Sequence, residues 1–138
     1  METPEGPRPK TPDSEKITIN LGFFDLGRVD LLVRDGFYAN RTDFIRTAIR
    51  NQLDRHAEAV NRTVTRETLD LGLRHYSRAD LERARDKGER LAIHVLGLAS
   101  IAPDVTPDLA QAAIASVTVL GALHASPEVR KALADRTR

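Results

Sequence analysis

The sequence contains no cysteine. Disulfides, thiolate zinc sites and thiol nucleophiles are therefore excluded. It also lacks any apolar run of 18 residues and any signal-peptide pattern, so no membrane association and a cytoplasmic location are expected. Histidine is scarce, with four residues spaced 19, 19 and 30 apart, which offers no metal-ligand pair at helical spacing. No carboxylate pair, nucleophile–base set or phosphate-binding loop stands out. We therefore expect no metal, no cofactor and no enzymatic activity. An excess of one charge is missing too. Lys plus Arg total 21 against 20 Asp plus Glu, giving a formal net charge of +1. That balance excludes a polycation that holds nucleic acid by bulk charge.

What is present suits a folded chain. Apolar residues make up 41% and charged residues 30% of 138 residues, enough for one domain or two small ones. Residues 1–14 hold four of the seven prolines and nothing apolar after Met1, the composition of a disordered tail. Lys16-Ile-Thr-Ile-Asn-Leu21 then alternates with period two. Ile17, Ile19 and Leu21 share one face and Lys16, Thr18 and Asn20 the other, as in a half-buried strand. No second strand follows nearby, so its backbone groups need an outside partner.

Two helices are expected next. Leu26, Val29, Leu32 and Val33 form the stripe of the first, and Asp35-Gly36 stops it. Asn40 is placed to cap a second, with Asp43 at its third position as in a capping box. Phe44, Ile45, Ala48, Ile49 and Leu53 give that helix its apolar stripe to about Ala59, with Arg46, Arg50 and Arg55 along the outer side.

Strand, helix, turn and helix within some 45 residues resemble the ribbon-helix-helix family of CopG/Arc/MetJ-like DNA-binding regulators. The resemblance covers Lys16 to Leu21 and Leu26 to His56, and its most specific piece is Asn40-Arg-Thr-Asp-Phe-Ile-Arg46. It implies a β-α-α module over residues 15–60 that is an obligate homodimer, two copies of strand 16–21 pairing into an antiparallel ribbon. Gly22 departs from the pattern where proline is common, and a looser strand-to-helix turn is expected there.

The resemblance implies that Lys16, Thr18 and Asn20 read base edges of double-stranded DNA from the ribbon. Their chemistry suits the major groove: Lys donates to guanine, Asn pairs with adenine, and Thr bonds or touches a thymine methyl. It likewise implies phosphate contacts from Asn40, Arg41 and Thr42 at a helix start, where N–H groups and the dipole favour anions. Ile17, Ile19, Leu21, Phe44, Ile45 and Ile49 would form the dimer core. A solvated face or a simple helix cap would explain the same polar residues without DNA.

After residue 62 the pattern changes. Leu-Gly pairs recur at 71–72, 96–97 and 120–121, and Ile93-His-Val-Leu-Gly97 overlays Val117-Thr-Val-Leu-Gly121. This reads as an internal repeat of about 24 residues, three strand–helix copies forming a small α/β domain over 61–138. The strands are expected around Leu69-Leu71-Leu73, Ile93-Val95 and Val117-Val119. The helices start at Ser77, Thr106 and Ser126, the last two with proline next. Parallel strands stacked as a short solenoid follow, and the alanine-rich stretch 99–115 favours close packing between repeats or subunits. The domain would serve oligomerisation or ligand sensing, with a higher oligomer through 63–138.

The expected function is a sequence-specific, nucleoid-associated transcriptional regulator acting as a repressor. An antitoxin, or a DNA-bridging oligomeric scaffold, are the alternatives. Charge sharpens this. The first 62 residues carry ten basic and ten acidic side chains, so the DNA-binding module is itself neutral. Asp25, Asp30 and Asp35 are expected away from the basic surface of Lys16, Arg41 and Arg46, leaving weak nonspecific affinity.

Overall fold

The computed structural model describes residues 14–138. The tail expected over 1–14 thus lies, save for Ser14, outside the described residues. The chain divides into two compact units, one ending at Leu53 and one running from Asp54 to Arg138.

In the first unit, residues 15–22 pair with no strand among the described residues. Helix α1 spans Phe23–Arg34. Gly22 precedes it at φ −62° and ψ 152°, a conformation that proline also adopts, so the glycine does not distort the turn. The helix ends as its sequence predicts. Gly36 takes φ +89°, and the N–H groups of Gly36 and Phe37 donate to the carbonyls of Val33 and Leu32 at 3.1 and 2.9 Å. These two bonds form a Schellman motif, which satisfies carbonyls the helix would otherwise leave open.

Helix α2 covers Arg41–Arg55. Its start is fixed by Asn40, whose Oδ1 accepts from the Asp43 N–H at 2.8 Å. The Asp43 carboxylate reaches back one residue further than a capping box requires, accepting from the Ala39 N–H at 3.0 Å. Tyr38 and Phe44 meet edge to face with ring centroids 5.0 Å apart. Yet Val29 is the only buried residue between 14 and 53. One buried valine does not offset the ordering of some forty residues.

The second helix stops at Arg55, short of the Ala59 expected, and a separate helix α3 occupies Ala57–Glu67. That helix crosses the expected boundary at residues 60 and 61. Thr68 ends it in the left-handed region at φ 55°.

Three parallel strands follow, β1 Asp70–Tyr76, β2 Leu91–Ile101 and β3 Ile114–His124, in the order β1-β2-β3. Helices α4 Arg78–Asp86, α5 Pro107–Ala113 and α6 Pro127–Ala132 come after them in turn. Each helix begins at the hydroxyl residue its sequence singles out. The side chains of Ser77, Thr106 and Ser126 accept from the N–H groups of Asp80, Leu109 and Val129. The Asp80 carboxylate accepts in turn from the Ser77 N–H at 3.0 Å, completing a capping box.

The register brings the three Leu-Gly pairs side by side. Leu71, Leu96 and Leu120 are neighbours across the sheet, as are Gly72, Gly97 and Gly121. All three glycines have positive φ, at 101°, 141° and 123°. A Cβ on Gly97 would lie 2.2 Å from the Gly72 carbonyl oxygen, and one on Gly121 would lie 2.1 Å from that of Gly97. The strands bend together where only glycine leaves room. One sheet face packs on the helices. Ile93, Val95, Ile114 and Val117 meet Leu81 and Leu133 there, all fully buried. The chain closes on β3, where the Arg138 N–H donates to the Val117 carbonyl at 2.8 Å.

Candidate nucleic-acid interface

The polar residues expected to read bases, Lys16, Thr18 and Asn20, are all exposed. So are their apolar neighbours. Ile17, Ile19 and Leu21 retain 75%, 57% and 41% of their accessible surface, an unusual state for alternating large aliphatics. Ile49 and Leu53 on α2 are exposed as well, while Phe44 and Ile45 are half-buried. The six residues expected in a dimer core therefore leave much apolar surface open in the single chain. Phe23 and Phe24 add to it, and the Arg28 guanidinium lies 4.6 Å from the Phe24 ring centroid.

The start of α2 separates the three residues expected at phosphate. Asn40 and Thr42 line a shallow depression together with Ala39, Asp43, Arg46 and Arg50. Arg46 and Arg50 follow Thr42 at helical spacing, so one face of the helix carries both guanidinium groups beside its N-terminus. Hydroxyl, amide, two cations and the Asp43 carboxylate thus line one depression where the helix dipole is positive.

Arg41 is held elsewhere. Its guanidinium grips Asp30 of α1 with two hydrogen bonds, Nε to Oδ1 at 2.8 Å and Nη2 to Oδ2 at 2.9 Å. The hydrogen bond from Arg41, and then its charge, hold the Asp30 carboxyl below the usual carboxylate range. The same contact raises the Arg41 pKa. Asp30 therefore sits against a residue of the expected basic surface rather than away from it. Sequence reasoning could not see this pair, because eleven residues and a turn separate its members.

Among the described residues no group of three or more His, Asp or Glu could hold a metal ion. No helix among them is long and apolar enough to cross a membrane. His75 and His124 lie in one sheet row with Ser100 between them, and His75 Nδ1 is 2.6 Å from Ser100 Oγ.

No curated protein and no solved structure matches the chain. One family model does, described as the ribbon-helix-helix transcriptional regulator family, and it runs from residue 12 to residue 130. That span takes in both units and most of the 138 residues, so the chain belongs to the ribbon-helix-helix transcriptional regulator family.

Proposed function

We propose that the protein is a sequence-specific DNA-binding repressor that works as a homodimer. Two copies of segment 16–21 pair into an antiparallel ribbon, which enters the major groove with Lys16, Thr18 and Asn20 outward. The observation that carries this reading is the first unit's incompleteness. A segment alternating perfectly in polarity stands unpaired, its three aliphatics exposed beside a unit with a single buried valine. Pairing supplies both missing halves at once. The backbone groups of 16–21 gain partners, and Ile17, Ile19 and Leu21 cover Phe44, Ile45 and Ile49.

Asn40 and Thr42, with Arg46 and Arg50 beside them, anchor a phosphate at the start of α2. Arg41 keeps two of its five N–H donors on Asp30 and offers the others to the same backbone. Its grip on α1 fixes the helix start that the phosphate meets. The second unit, three strand–helix repeats in register at their glycines, serves association of subunits.

Selection of random double-stranded DNA by the purified protein, at stated salt, tests the reading. A reproducible motif with two-fold symmetry supports it, as the symmetry of a paired ribbon demands. Recovery of unenriched sequence at every salt concentration contradicts it.

A further inference from the structure

In the second unit, α4, α5 and α6 all pack on one face of the sheet, and the other face is left largely open. Parallel strands are ordinarily covered on both faces. On the face away from the buried core, the register gathers Leu71, Leu96 and Leu120 in one row and Leu73, Leu98 and Ala122 in the next. Leu71, Leu73 and Leu120 keep 64%, 69% and 51% of their surface exposed. Helix α3 leans over one end only, where Val60 and Val64 approach Leu96 and Leu120 across an apolar cleft. The bordering row is His75, Ser100 and His124, so no Lys, Arg, Asp or Glu stands in these three rows.

We infer that this leucine face is an interface between two copies of the second unit, each covering the other's Leu71, Leu73, Leu96, Leu98 and Leu120. The chemistry of the face selects its partner. It offers no charge to steer an unlike protein and few polar groups to fix one, and it matches best a surface as apolar as itself. This chain carries such a surface. The covalent connection also favours a second copy. Only residues 54–69 lie between the first unit and β1. A dimer joined through its first units therefore holds two leucine faces at high effective concentration. That last step rests on the ribbon reading proposed above; the exposed face itself does not.

Sedimentation of the full chain in four forms separates the two interfaces. Ile19→Lys removes ribbon pairing, and Leu71→Glu with Leu73→Glu charges the leucine face at positions already exposed, where a folded single chain tolerates it. The Ile19→Lys variant is expected to remain a dimer at micromolar chain concentration. The variant with all three substitutions is expected to sediment as a monomer of 15.3 kDa. An Ile19→Lys protein that is already monomeric overturns the leucine interface while leaving the ribbon reading intact. A triple variant that stays dimeric overturns it as well, since another surface then holds the copies. If Leu71→Glu/Leu73→Glu alone is monomeric, the ribbon reading fails and the leucine interface stands.

Thiol labelling supplies a check that needs no disruption of the ribbon, because the chain has no cysteine of its own. In the purified protein Leu73→Cys should react with a maleimide at least about tenfold more slowly than Asp86→Cys on α4, as a largely desolvated site reacts only on opening. Equal rates at the two positions overturn the proposal.

Discussion

Arg41 and Asp30 form a two-pronged ion pair that ties the start of α2 to the middle of α1. Both partners are exposed, so the pair's value lies in orientation rather than in stability. It holds the segment 35–40, and with it the Asn40 cap, between two helices. The carboxyl of Asp30 lies below its ordinary range and the guanidinium above its own, so neither ionises differently near neutrality. The tie breaks only as pH falls through the lowered Asp30 value, well into acid.

Removing Arg41 should therefore act on DNA affinity and not on sequence preference. Arg41→Ala is expected to weaken binding to selected and unselected duplexes by a similar factor. The slope of log affinity against log salt should fall by about 0.9 for each phosphate no longer neutralised, or roughly 1.8 for a dimer. Binding titrations over a series of salt concentrations measure this.

The glycine row makes a graded prediction. Gly72→Ala meets only the strain of its positive φ, of order 1–3 kcal/mol, because nothing lies within 4 Å of its Cβ direction. Gly97→Ala and Gly121→Ala meet that strain and a backbone carbonyl as well, at 2.2 and 2.1 Å. Both should lose more stability than Gly72→Ala in denaturant titrations of the full chain. Equal losses at the three positions would contradict the close approach.

Much of this fold is legible in the sequence, and for local reasons. The stop at Gly36, the cap at Asn40 and the helix starts at Ser77, Thr106 and Ser126 each depend on a few adjacent residues. The recurring Leu-Gly pairs carry long-range information, since their spacings of 25 and 24 residues in the sequence become register in the sheet. Helix α3 is not separated from α2 by sequence reading because neither glycine nor proline marks the break, which falls at His56 with φ −104° and ψ 13°. The leucine alternation in β1 indicates a strand but not its face. Leu71 and Leu73 align with Leu96 and Leu98 rather than with buried Ile93 and Val95. Residues 16–21 alternate with period two in the sequence, yet they pair with no strand among the described residues.

Gly22 offers a stabilising change. Its φ of −62° is the value that proline fixes, so Gly22→Pro should cost no strain and should restrict the unfolded chain. A gain of about 0.4–1 kcal/mol is expected in denaturant titrations. A decrease in stability would mean that the Gly22 N–H is used as a donor in the assembled protein.

The capping box on α4 sets an acid limit. Bonds from the Ser77 N–H and hydroxyl hold the Asp80 carboxyl below its usual value of 3.8. A lowered folded pKa contributes stability that is present above 3.8 and lost as pH falls through the lower folded value. Asp80→Asn should flatten that acid limb of the stability curve and leave its shape near neutrality unchanged. Ser77→Ala should cost about 1 kcal/mol at neutral pH by removing the cap. Unfolding curves at a series of pH values test both.

The proposed recognition of DNA by a paired ribbon is tested most directly by comparing the selected operator with mismatched duplexes, for the native protein and for Lys16→Ala/Asn20→Ala. Each good base contact is worth about 1–3 kcal/mol of discrimination. The double variant should keep its helical content and its sedimentation as a dimer while losing that much preference for the operator at each substituted position. Unchanged affinity and unchanged discrimination in a folded double variant would contradict the account.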